Sequence, residues 1–191
     1  AILGRWMGAR GCRNSVTICT KVSSGSSPEN IGRALTASLE RLRIDYVDIY
    51  KLHKPDPDVP LDETLSALAE QIAAGRIRVV GCSNLTAEDL SLALEASESG
   101  GLPRFEIIQP PYSLANPGAQ DDLFPMCRNE GIAVTPYSPL AAGFLTGKYT
   151  PDRAEFPVGS RYYISPGHAD IYFTDRNFSV VGRLRAKSLE V

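Results

Sequence analysis

The strongest constraint on this chain is a repeated alternation. Five short apolar runs, each rich in β-branched or aromatic residues, are separated by amphipathic stretches. The runs are "VTICTKV" (16–22), "YVDIYKLH" (46–53), "VVGCSN" (79–84), "FEIIQPPY" (105–112) and "IAVTPYSP" (132–139). Such runs bounded by turn residues read as strands. Between them, Ile31, Leu35, Leu39 and Leu42 recur at helical spacing, as do Leu61, Leu65, Leu68 and Ile72. Pro28 and Glu29 suit the first turn of a helix over 31–44. "TAEDLSLALEASESG" (86–100) carries a capping start and a glycine stop. Helices are also expected at the start of the chain, over 60–77, over 121–131 and over 178–191, with a long loop across about 140–176. Strands that alternate with helices imply a parallel sheet.

Two α/β architectures fit that alternation. A doubly wound sheet carries its ligand on a glycine-rich first turn, and no G-x-G-x-x-G occurs here. A (β/α)8 TIM barrel builds its site from polar residues at the C-terminal strand ends. Those ends read Lys21, His53, Ser83 with Asn84, Gln109, and Tyr137 with Ser138. The barrel is the expected fold. A full barrel takes about 250 residues, so residues 1–191 are expected to form one partial-barrel domain spanning roughly strands 3 to 7.

Composition narrows the function classes. A formal charge of −2 without like-charge runs argues against nucleic-acid binding. No apolar stretch approaches the ~18 residues of a membrane helix, and "AILGRWMGARGCR" does not have the order of a signal peptide. Cytoplasmic localisation is expected, with Cys12, Cys19, Cys82 and Cys127 as reduced thiols. Two distant histidines and no Cys/His cluster give no metal site. "GFLTGKY" (143–149) is one residue short of a P-loop, and Tyr149 stands where a magnesium-binding hydroxyl is needed.

Three motifs in register are more specific. "SLERLRIDYVDIYKLHKPDP" (38–57), "GRIRVVGCSN" (75–84) and "VTPYSPLAAGFLTGKY" (134–149) closely resemble the aldo-keto reductase superfamily. The similarity is greatest to the branch with bacterial reductases and potassium-channel β subunits, and it runs from about Ala1 to about Phe178. The resemblance implies reduction of a small-molecule aldehyde or ketone by hydride transfer from NADPH, giving NADP+. It implies that Lys21 and His53 are catalytic. An ammonium stabilises a phenolate and so lowers the pKa of a tyrosine acid, and a histidine hydrogen-bonds the carbonyl oxygen. The family's aspartate and tyrosine precede the helix that ends in "AILGRW", so the chain alone is expected to be inactive. Tyr46, Tyr50 and Tyr112 fall in the wrong places to substitute.

The same resemblance implies the cofactor residues. Ser83, Asn84 and Gln109 would hold the nicotinamide carboxamide, and Tyr137 would stack on its ring. Ser138, Pro139, Leu140, Ala141 and Gly143 would line the pyrophosphate, and Lys148 and Arg161 would meet phosphates. A regulatory, cofactor-binding subunit resembling channel β subunits is the alternative function.

Plainer readings stand beside these. Lys21 could be a snorkelling lysine, His53 a structural histidine, and Ser83 with Asn84 the polar entry to the next helix. Lys51 shares the strand face of His53 and either keeps that imidazole neutral or pairs with a carboxylate from a strand that residues 1–191 do not include, the second being favoured. Asp48, on the opposite face, is expected to hydrogen-bond against the helices.

Overall fold

Five parallel strands follow one another across a sheet in chain order, β1-β2-β3-β4-β5. The computed structural model describes residues 1–152 and 156–190. They divide into two compact units. The first takes Ala1–Pro110 and Leu123–Thr135, and the second takes Pro111–Asp122 and the described residues from Pro136 on.

The first unit holds β1 (Cys19–Val22), β2 (Val47–Leu52), β3 (Ile77–Ser83), β4 (Ile107–Gln109) and β5 (Ala133–Val134). Helices α1 (Ile2–Arg10), α2 (Pro28–Leu42), α3 (Leu61–Ala73), α4 (Ala87–Gly100) and α5 (Leu123–Glu130) alternate with them. A doubly wound sheet reverses its strand order at a switch point, and this sheet has no reversal. One face of the sheet carries Val22, Tyr50, Leu52, Val80, Cys82 and Ile108, all at most 4% exposed. The apolar stripes read from the sequence are buried as well: Ile31, Leu35 and Leu39 on α2, and Leu65 and Leu68 on α3. Each such side chain contributes about 1.5–3 kcal/mol on burial.

Caps fix the helix starts. Ser27 Oγ accepts the Asn30 N–H at α2. At α4, Thr86 Oγ1 accepts the Asp89 N–H while an Asp89 carboxylate oxygen accepts the Thr86 N–H, both at 3.0 Å. Thr86 is therefore the helix entry, and the reading of Ser83 and Asn84 as that entry is replaced.

Several elements are shorter than their sequence patterns. The runs at 105–112 and 132–139 reduce to three and two strand residues, because Pro110, Pro111 and Pro136 have no N–H to give a ladder. Residues 16–18 precede β1 and are held by side chains, with Arg13 on Val16 O and Asp48 on the Ile18 N–H. Asp48 thus serves the loop before β1 rather than the helices.

In the second unit, the expected loop of 140–176 contains a 3-10 segment at Ala141–Thr146 and the short helices α6 (Arg161–Ile164) and α7 (Ala169–Tyr172). Helix α8 (Asp175–Ser188) follows. The core here is aromatic: Phe144, Tyr149, Tyr162 and Tyr172 are buried, with Phe156, Phe173 and Phe178 packed around them. Tyr149 and Tyr162 meet edge to face at 4.5 Å.

Candidate active site

Register places the first group of site residues. Residues paired across parallel strands share a face, and Lys21 pairs with Lys51, Lys51 with Gly81, and Gly81 with Ile107. One step toward the C-terminal ends, Ser83 pairs with Gln109. Lys21 lies within β1 and is half-buried. His53 directly follows β2, its N–H donates to Val22 O at 3.2 Å, and its side chain is exposed. Lys21, His53, Ser83, Asn84 and Gln109 therefore gather at the ends of four adjacent strands.

Ser83, Asn84 and Gln109 are joined by hydrogen bonds. Ser83, only 1% exposed, donates its hydroxyl to Gln109 O at 2.6 Å. The Asn84 N–H reaches the same carbonyl at 3.4 Å, and Asn84 Nδ2 donates to His53 O at 2.7 Å. Asn84 adopts φ 62°, a left-handed conformation that Asn tolerates better than most residues. That turn at the end of β3 lets one side chain tie down the backbone of His53.

Lys51 is 3% exposed on this face. Its Nζ donates to Thr135 Oγ1 at 2.9 Å and to Gln109 Oε1 at 3.5 Å. A hydroxyl, an amide oxygen and the Cys19 thiol are its partners among the described residues, and none of the three tests a carboxylate from a strand outside them. Desolvation, with repulsion from Lys21, outweighs the opposing attraction of Cys19 and Cys82 and holds its pKa below the ordinary lysine value. The glycine beside it matters: a Cβ at Gly81 would lie 2.5 Å from Ile107 O and 3.2 Å from Lys51 Cγ.

The opposite end of β2 is structural. Asp48 meets Arg13 at 2.9 Å and Arg78 at 3.7 Å. Burial opposes its ionisation, but the Ile18 N–H and the two guanidinium groups outweigh that and hold the carboxyl below its ordinary value. The same two guanidinium groups stack on Tyr46, at 4.1 and 4.0 Å from the ring centre. Tyr50, on the other face, is wholly buried, its hydroxyl has no partner among the described residues, and desolvation pushes its pKa to about 12.

The second unit carries the remaining predicted residues. Tyr137 forms a parallel bridge with Pro111, and burial pushes its phenol pKa upward. Tyr137, Ser138, Ala142, Arg161, His168 and Tyr172 line a cavity of about 610 Å³. The loop 138–143 turns sharply, with Ser138, Ala141, Ala142 and Gly143 all at positive φ. Non-glycine residues pay about 1–2 kcal/mol each for that conformation. Tyr162, fully buried, braces the loop through a hydroxyl bond to Ala141 O at 2.8 Å. Pro139 and Leu140 are exposed within the loop, and Lys148 extends beside the Tyr149 ring at 5.3 Å.

Sequence reasoning did not find His168, whose Nε2 lies 3.4 Å from Arg161 Nη2. Nor did it find Thr135 as the Lys51 partner. Among the described residues no group of three or more His, Cys, Asp or Glu side chains could hold a metal ion, and no helix is long and apolar enough to cross a membrane.

Comparison with known proteins decides the family. The aldo/keto reductase family model matches residues 1–183. The chain belongs to the aldo/keto reductase family. Protein tas of Escherichia coli is 36% identical over 189 residues, covering 83% of this chain and 54% of that protein. The NADH-specific methylglyoxal reductase of Escherichia coli is 40% identical over 138 residues, covering 71% and 40%. A probable voltage-gated potassium channel subunit beta of Arabidopsis thaliana is 33% identical over 159 residues, covering 78% and 48%. The chain spans about half the length of the curated relatives it matches. A solved structure of a glycerol dehydrogenase from Gluconobacter oxydans superposes with a TM-score of 0.74 at 27% identity, over 94% of this chain and 55% of that one. The sequential parallel sheet is thus part of a (β/α)8 barrel.

Proposed function

We propose that the intact polypeptide carrying these residues reduces an aldehyde or ketone to an alcohol with NADPH. The observation that carries the reading is the gathering of Lys21, His53, Ser83, Asn84 and Gln109 at the C-terminal ends of neighbouring strands, where barrels of this type build their sites. When bound, the reduced nicotinamide supplies the hydride.

The donor set fits a carboxamide, since two amide side chains and a hydroxyl, which together both donate and accept, meet at the ends of β3 and β4. Tyr137 offers its ring for stacking on the nicotinamide. The 138–143 loop offers backbone groups toward the pyrophosphate, and Lys148 and Arg161 offer positive charge. Lys21 presents an ammonium that lowers the pKa of the acid tyrosine, and His53 hydrogen-bonds the carbonyl oxygen. One relative is named for NADH, so either nicotinamide belongs in the assay.

The 191-residue chain by itself is proposed to be inactive. Tyr46 lies under two guanidinium groups and Tyr50 is buried on the opposite face of the sheet, which supports the reading that neither replaces the family's acid tyrosine. Residues 1–191 are read as one partial-barrel domain working in the cytoplasm on a small carbonyl compound. The test is nicotinamide oxidation with a reactive aromatic aldehyde, by the chain and by the intact polypeptide. Activity of the intact form alone supports the proposal, and turnover by the chain contradicts the inactivity. The channel-subunit relative supports a regulatory reading as the alternative. That reading predicts NADPH binding by the intact polypeptide without reduction of any aldehyde.

A further inference from the structure

Gln109 is gripped twice. Its main-chain carbonyl accepts from Ser83 Oγ at 2.6 Å and from the Asn84 N–H at 3.4 Å. Its side-chain Oε1 lies 3.5 Å from Lys51 Nζ. Lys51 reaches it from two strands away, passing β3 at Gly81, its own register partner. Only glycine leaves that path open, because any Cβ there would press on Ile107 O and on the lysine stem. Beside the Cys19 thiol, a further partner of the lysine fixes the direction of donation. Thr135 Oγ1 gives its proton to Ile108 O at 3.4 Å and so accepts from Lys51 at 2.9 Å.

An ammonium has donors and no acceptor, so the atom of a neighbouring amide that turns toward it is the oxygen. We propose that Lys51 is a positioning residue that locks the Gln109 amide with its oxygen turned inward, so that Gln109 presents its NH2 group as a donor at the strand ends. An unrestrained glutamine could offer either end of its amide to a ligand. Locked, it selects a ligand atom that accepts. Resting on the nicotinamide reading above, this deepens it: the carboxamide oxygen, rather than the carboxamide NH2, faces Gln109, which fixes the rotation of that group and of the ring it orients.

The test joins a measurement that needs no cofactor to one that does. The Gln109 side-chain NH2 resonances are assigned by NMR in the cofactor-free chain, using loss of the signal in Gln109→Glu. They are expected to shift and to change their exchange with water in Lys51→Met, and to stay near wild type in Lys51→Arg, which keeps donors. Affinities for NADPH and for its thionicotinamide analogue, whose sulfur accepts hydrogen bonds weakly, are then compared. Wild type and Lys51→Arg are expected to bind the analogue about 3–10-fold more weakly than NADPH, the worth of one hydrogen bond. In Lys51→Met that ratio is expected to fall toward one. Unmoved Gln109 resonances, or an unchanged ratio in Lys51→Met, would overturn the proposal. Failure of the wild type to bind either dinucleotide would count against the nicotinamide reading instead, and the resonances of Gln109 would then decide the Lys51 relationship alone. If Lys51→Met does not fold, the wild-type analogue ratio decides, and a ratio near one overturns the proposal.

Discussion

Lys21 and Lys51 occupy paired positions on β1 and β2, so two lysines stand side by side on one face of the sheet. The outer one is half-buried and the inner one buried. Desolvation, helped by the charge of Lys21 and opposed by Cys19 and Cys82, makes protonation of Lys51 harder in the folded chain than in the unfolded one. The folded state therefore binds fewer protons at this site between the lowered pKa and the ordinary lysine value of about 10.4. Stability gained from Lys51 rises as pH climbs through that window. Denaturant melts of wild type and Lys51→Met at pH about 7 and about 10 test this. Their stability difference is expected to move in favour of wild type at the higher pH, and a pH-independent difference would refute it.

Asp48 behaves with the opposite logic. Its carboxyl is held below 3.8, so its contribution is complete above that value and is lost as pH falls through the lowered one. Asp48→Asn is expected to cost about 2 kcal/mol at neutral pH, the scale of a hydrogen bond to a charged group. The cost should shrink toward zero in acid melts. An equal cost at both pH values would show that shape, not charge, matters at this position.

Tyr50 offers a gain. Its buried hydroxyl has no hydrogen-bond partner among the described residues, and removing such a group relieves a desolvation penalty of about 1 kcal/mol. Tyr50→Phe is expected to raise the denaturation midpoint without changing the slope. A lowered midpoint would reveal a bond made by that hydroxyl.

The 138–143 loop stores strain that can be released. Ala142 sits at φ 55°, so Ala142→Gly is expected to stabilise by up to about 1 kcal/mol, and Ala142→Val to destabilise by at least that much. Tyr162→Phe removes the brace on Ala141 O and is expected to cost about 1 kcal/mol. Thermal melts of the three variants check the order.

The sequence made the five strands and their succession legible, because β-branched runs ending on Lys21, His53, Ser83 and Gln109 are local signals. Strand length was less legible. The prolines at 110, 111 and 136 interrupt pairing that the apolar pattern alone would continue, leaving the isolated bridge of Pro111 with Tyr137. Lys51 read as pairing with a carboxylate on a strand outside residues 1–191, and the hydroxyl that meets it here lies 84 residues further along the chain. Local spacing carries no information about such a contact. His168 is only seven residues from Arg161, and the turn between α6 and α7 that brings them together lies in a stretch that read as loop.

The most direct test of the account is aldehyde-dependent oxidation of NADPH or NADH by the intact polypeptide, wild type against His53→Ala. Wild-type turnover that drops by about 10²-fold or more in the variant is the predicted result. No aldehyde-dependent oxidation of either nicotinamide by the wild type, or an equal rate in the variant, would contradict it.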